Sequence, residues 1–239
     1  MALLEVSRLI CDFGGLRAVS SLSFGVEAGE ILGLIGPNGA GKTTVFNLIT
    51  GFLRPTGGDI RLDGSRINGL KPHAVVRRGI ARTFQIVKPF PNLTVRENVA
   101  LAALVRLGVR AEADLEAERA LSQVGLGSKL DTPASDLTLS DQKRMEIARA
   151  LATRPKLLLL DEPLAGLNPR ETEDACGLIQ AIRSNGVTVV LVEHVMKAIM
   201  RISHRVVVMR HGEKIADGPP ADVVADPEVI AAYFGKRRA

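Results

Sequence analysis

The sequence predicts an α/β fold: a parallel sheet with crossover helices, carrying a small antiparallel layer and an inserted helical lobe. Three observations lead there. Short apolar runs at Ile31–Ile35, 157–160, Thr188–Val192 and 206–209, followed by 214–216, are separated mostly by helix-compatible segments, the pattern of a buried parallel sheet. Segments 3–10 and 21–27 alternate apolar and polar residues as half-buried strands, and 58–64 reads as another strand with a turn at each end. From residue 86 to 150 strand patterning is absent and Ala, Leu, Glu and Arg dominate.

The chain has 239 residues, of which 46% are hydrophobic, enough for one large domain spanning 1–239 with a lobe inserted at 86–150. Within that lobe, 95–105 has helical apolar spacing behind Thr94, an expected N-cap with Glu97 three residues on. Segment 112–124 reads as a second amphipathic helix with a solvated, mixed-charge face, and 133–151 as a polar turn opening a long helix. There is no internal repeat or low-complexity linker.

No apolar run reaches the ~18 residues that a membrane span needs, and the N-terminus lacks a signal-peptide layout, so a cytosolic chain is expected. Cys11 and Cys176 read as buried free thiols, and the four histidines form no ligand pattern. The formal net charge of +5 suits an anionic partner. Aromatics are only 3% with no tryptophan, which argues against a stacking platform for nucleic acid. The tail residues Lys236, Arg237 and Arg238 read as a solvated end or as a contact for an anionic membrane face.

The most informative segment is 36–44, GPNGAGKTT, placed between the Ile31–Ile35 run and a helix-compatible stretch. Strand, glycine turn and helix start bring successive backbone N–H groups and a helix N-terminus onto one point, which makes a phosphate cradle. Its members are Gly36, Pro37, Asn38, Gly39, Ala40, Gly41, Lys42, Thr43 and Thr44. Lys42 is expected to reach the β- and γ-phosphates, and the Thr43 hydroxyl to ligate Mg²⁺. Four leucines at 157–160 run into Asp161 and Glu162, at the strand end where open α/β sheets bind ligands. Asp161 is expected to hold Mg²⁺ and Glu162 to polarise an attacking water.

Together with the helix-opening LTLSDQKRMEIARAL, these motifs resemble the ATP-binding subunit of the ATP-binding cassette (ABC) superfamily over essentially the whole chain. The resemblance implies a P-loop NTPase fold: a RecA-like core, an N-terminal antiparallel layer and a helical subdomain. It makes ATP and Mg²⁺ the ligands. Segment 137–141 stands where the family has LSGGQ; Thr138 and Ser140 match the groups that meet a γ-phosphate, while Leu139 replaces the first glycine and Asp141 the glutamine. Phe13 and Val19 fall where the adenine ring stacks, although Phe13 alone would read as core. Gln85 is similar to the glutamine that touches Mg²⁺ and the attacking water. Asn168, in AGLN, stands where the superfamily usually has aspartate, and His194 resembles the switch histidine, although alone it would read as structural.

Within the superfamily, TFQ at Gln85, AGLNP and the ending GPPADVVADPEVIAAYFG look like ATPases of branched-chain amino-acid uptake. That implies a peripheral subunit at the cytoplasmic face of the inner membrane. Its partners would be transmembrane permeases, a second ATP-binding subunit, identical or paralogous, and indirectly a periplasmic solute-binding protein. Nucleic acid would not be a partner. An export cassette of the lipopolysaccharide type and a soluble non-transport ABC ATPase are the alternatives. A GTPase would carry an Asn-Lys-x-Asp motif, which is not found.

Overall fold

The computed structural model describes residues 2–234. Lys236, Arg237 and Arg238 therefore lie outside the described residues. Two sheets organise the fold. In the first, β1 (Ala2–Phe13), β2 (Leu16–Glu27), β4 (Gly57–Leu62) and β5 (Ser65–Arg66) run antiparallel in the order β2-β1-β4-β5. Strands β1 and β2 are longer than their alternation indicates. The alternation is broken where Arg8 and Ser21 adopt left-handed φ values of 47° and 49°, next to register shifts in their pairing.

The second sheet has the order β10-β9-β3-β8-β7-β6. Here β3 (Ile31–Ile35), β6 (Ile80–Arg82), β7 (Leu157–Asp161), β8 (Thr188–Val192) and β9 (Arg205–Arg210) are parallel, with β10 (Glu213–Gly218) antiparallel at one edge. All residues of β3, β7 and β8 are buried, which is why they read as continuous apolar runs and not as alternations. The edge strand β6 was not anticipated from sequence; three residues are too few to show a period.

Helix α1 (Lys42–Ile49) follows β3 directly, and α2 (Pro72–Arg78) precedes β6. Three helices, α3 (Val95–Leu107), α4 (Arg110–Gln123) and α5 (Leu139–Leu151), fill the segment where strand patterning was absent. Thr94 caps α3 in a full capping box with Glu97, as its spacing implies. The solvated face expected of α4 is only part of it, since Ala113, Glu116, Ala117, Ala120 and Leu121 are buried against its neighbours. The apolar cluster of these helices, with Val99, Ala103, Leu121, Met145 and Ala148, is continuous with Leu158 and Leu160 under the parallel sheet. Helices α6 (Pro169–Ser184), α7 (Met196–Ile202), α8 (Pro220–Ala225) and α9 (Pro227–Phe234) complete the fold. No helix among the described residues is long and apolar enough to cross a membrane.

Cys11 and Cys176 are buried free thiols, and burial raises the pKa of both, which disfavours the thiolate form. No group of His, Cys, Asp and Glu among the described residues could by itself hold a metal ion.

Candidate functional site

The loop between β3 and α1 turns tightly because two of its glycines leave room that no side chain could share. A Cβ on Gly36 would collide with the Met209 carbonyl, and one on Gly41, at φ 101°, would lie 2.6 Å from the Ala18 carbonyl oxygen. Gly41 is the N-cap of α1 and makes no side-chain cap bond, so the first amides of the helix remain open toward the loop. Inside the loop, Lys42 Nζ donates to the carbonyls of Gly36 (2.6 Å) and Pro37 (3.1 Å). Burial lowers the pKa of Lys42, while the charges of Glu162 and Asp161 act to raise it. The loop thus holds one cation at the mouth of a helix.

A cleft of about 420 Å³ opens over the loop, walled by Asn38 to Thr44 on one side and by Phe13, Leu16, Arg17 and Ala18 on another. Glu162, His194 and His211 close it. Phe13 is 47% exposed, so the core reading that its sequence context allowed does not hold. Val19 is corrected in the opposite sense: it is fully buried and pairs with Cys11. Alternation along β2 turns Val19 into the core and leaves Ala18 at the cleft wall. His211, at φ 49°, was not anticipated; nothing in its sequence context marks it.

At the wall of the cleft, two predicted residues meet on the carboxylate of a third, Glu162. Gln85 Nε2 donates to its Oε2 at 2.7 Å, and His194 Nε2 lies 2.8 Å from its Oε1. An ionised carboxylate only accepts, so Nε2 of His194 bears the proton in this contact. Glu162 follows β7, His194 follows β8 by one residue beyond Glu193, and Gln85 follows β6; the parallel sheet brings all three together at its C-terminal edge. Glu162 itself sits at φ 49°, a left-handed conformation that a non-glycine residue adopts only when its surroundings impose it.

Asp161 is buried at the end of β7 and forms an ion pair with Arg82, a residue that its sequence context does not single out. A second recess, lined by Thr43, Arg82, Phe84, Gln85 and Asp161, adjoins the cleft, and Thr43 lies on the walls of both. Thr43, Asp161 and Gln85 thus share the wall of one recess, and each carries an oxygen of the kind that Mg²⁺ takes as a ligand.

Thr138 and Ser140 do not line this cleft. Thr138 is the N-cap of α5, its hydroxyl accepting from the Asp141 amide at 3.2 Å. The Asp141 carboxylate, which stands in place of an uncharged side chain, is paired by Lys129 at 2.6 Å. Asn168 caps α6 in a capping box with Glu171. An apolar groove of about 300 Å³ runs between core and lobe, with Phe52, Val76, Phe84 and Val105 on its walls.

Residues 19–165 match the family described as "ABC transporter", and residues 213–239 match "Branched-chain amino acid ATP-binding cassette transporter". The chain is 46% identical over 250 aligned residues to the high-affinity branched-chain amino acid transport ATP-binding protein BraF of Pseudomonas aeruginosa, covering 98% of each chain. Among solved structures it is similar to the ADP conformation of MJ1267, an ATP-binding cassette of an ABC transporter. The TM-score is 0.91 with 30% identity, over 99% of this chain and 100% of that one. It is also similar to the ATP-binding cassette MJ0796, solved as a dimer in a post-hydrolysis state with ADP and Pi. There the TM-score is 0.80 with 26% identity, over 91% of this chain and 98% of that one.

Proposed function

The chain belongs to the ABC transporter family of ATP-binding cassettes, and from that premise we propose that it hydrolyses ATP to drive uptake of branched-chain amino acids through transmembrane permease subunits. The observation that carries the catalytic part is the convergence of Gln85 and His194 on the Glu162 carboxylate, at the rim of the cleft over Lys42. The uptake part is supported by the match of residues 213–239 and by the name of the Pseudomonas aeruginosa relative.

In this reading the triphosphate lies on the amides of 36–44, and Lys42 exchanges the carbonyls of Gly36 and Pro37 for phosphate oxygens. Phe13 faces the adenine. Thr43, Asp161 and Gln85 would hold Mg²⁺, which would supply charge neutralisation to the triphosphate. Glu162 accepts the proton of the attacking water, oriented by Gln85 and His194. The oxygen attacks the γ-phosphorus and ADP leaves.

Thr138 and Ser140 lie off the cleft; in this reading they serve a second ATP-binding subunit. Two subunits arranged head to tail complete both sites, a reading supported by the dimeric cassette among the similar structures. Residues 86–150 act as the moving lobe, and the apolar groove beside Phe84 receives a cytoplasmic helix of a permease. The subunit is then peripheral at the cytoplasmic face of the inner membrane. It depends indirectly on a periplasmic solute-binding protein and has no nucleic-acid partner.

The test is uptake of labelled leucine, isoleucine and valine by cells in which the encoded chain is replaced by the Lys42→Ala variant. Loss of uptake supports the assignment. Unchanged uptake of all three would remove these solutes from it.

A further inference from the structure

Glu193 follows β8 directly and is only 2% exposed, yet it takes no part in the cleft. Its Oε1 accepts from the Leu164 amide at 2.6 Å, and its Oε2 accepts from the amides of His194 (2.9 Å) and Val195 (3.4 Å). Leu164 lies two residues beyond Glu162, at the start of the loop 165–168. One carboxylate therefore binds the loop after β7 and the loop after β8 to each other.

A buried carboxylate needs a countercharge. Lys143 of α5 is the buried cation that this charge acts on: burial lowers the Lys143 pKa, and Glu193 opposes that more strongly than Glu146 or Glu162, although no ion pair joins the two side chains. Lys143 Nζ also donates to the Glu162 carbonyl at 3.1 Å. The Glu162 amide is held in turn by the Val192 carbonyl at 2.9 Å. Both backbone groups of the left-handed Glu162 are thus fixed, one by β8 and one by α5.

We propose that Glu193 is a positioning residue: through the amides of Leu164, His194 and Val195 it holds the loops after β7 and β8, and with them Glu162 and His194, in register, while Lys143 ties the Glu162 carbonyl to α5, the helix that Thr138 opens. A contact made with a partner subunit at Thr138 or Asn168 thereby reaches the hydrolytic carboxylate through packed, hydrogen-bonded groups. The inference rests on the assignment of Glu162 and His194 to hydrolysis. Neither Glu193 nor Lys143 lines the cleft, so hydrolysis is affected and nucleotide affinity is not.

The test compares Glu193→Gln, Lys143→Met, Lys143→Arg and the Glu193→Gln/Lys143→Met double variant in the full chain, by MgATP hydrolysis and by binding of a fluorescent ATP analogue. Glutamine at 193 turns an NH₂ donor toward one of the three amides, so kcat falls about 10–100-fold, the range typical of lost supporting hydrogen bonds. Affinity for the analogue stays within about twofold, whereas a merely structural loss would weaken both. Lys143→Met falls likewise, and Lys143→Arg retains most of the rate. The double variant is no slower than about threefold below the worse single one, because both changes break one network. Wild-type kcat in both Glu193→Gln and Lys143→Met, equal losses of kcat and affinity, or multiplicative effects would overturn the proposal. Should Glu193→Gln fail to fold, the two Lys143 variants decide alone. Glu162→Gln run alongside separates the levels: if it hydrolyses normally, the site assignment fails, and if it is inactive while Glu193→Gln and Lys143→Met are normal, only the positioning role fails.

Discussion

Arg82 and Asp161 form an ion pair almost wholly removed from water, with Nη2 2.8 Å from Oδ2 and both side chains 6% exposed. Arg82 also donates to Asn47 Oδ1 at 2.6 Å, and its guanidinium lies over the rings of Phe46 and Phe84. A strand of three residues thus delivers the countercharge for the acid at the end of its neighbour.

Removing that countercharge leaves Asp161 buried and unpaired. Arg82→Met is expected to destabilise the chain by about 3–5 kcal/mol, the cost of breaking a buried pair from one side. The urea midpoint reads it. Arg82→Lys, which keeps charge but loses the fork, falls between the two.

Lys42 donates to two loop carbonyls, and in the proposed function those bonds are exchanged for phosphate oxygens when nucleotide binds. Each charge-assisted hydrogen bond contributes about 1.5–3 kcal/mol. Lys42→Ala therefore lowers ATP affinity at least about tenfold in a titration with a fluorescent analogue. The fold survives, because burial already disfavours the charged amine.

Glu146 is 8% exposed, and burial raises its pKa above the ordinary glutamate value of 4.5, opposed by the Phe84 amide and by the charges of Arg149 and Lys143. Between 4.5 and the native value the unfolded chain has released its proton and the folded chain has not, so the folded state loses stability as pH rises through this window. Glu146→Gln keeps an acceptor for the Phe84 amide, 2.7 Å away, and does not titrate. Its melting temperature is expected to exceed that of the wild type at pH 7, by about 2–4 °C for each kcal/mol. The gap closes as pH falls toward 4.5.

Much of this site was legible because its groups stand at the ends of buried strands. The leucines of β7 lead straight to Asp161 and Glu162, whereas His194, just past β8, was reached only through the family resemblance, since alone it reads as structural. Thr94 and Thr138 were legible as polar residues opening helices, and both cap them. What stayed hidden depends on partners distant in sequence. Glu193 is intelligible only once Leu164 and Lys143 are brought around it, and Arg82 only once β6 lies beside β7. Val19 was misplaced by a single step along β2, which is enough to turn a side chain from cleft to core.

In the proposed function Glu162, held between Gln85 and His194, performs the hydrolysis while the cradle at 36–44 binds the nucleotide. Paired measurement of MgATP binding and hydrolysis for Glu162→Gln tests it most directly. Glutamine preserves size and removes the proton acceptor, so ATP affinity should stay within about threefold of wild type while hydrolysis falls about 10²–10⁴-fold. Hydrolysis at the wild-type rate, or a loss of binding as large as the loss of rate, would contradict the account.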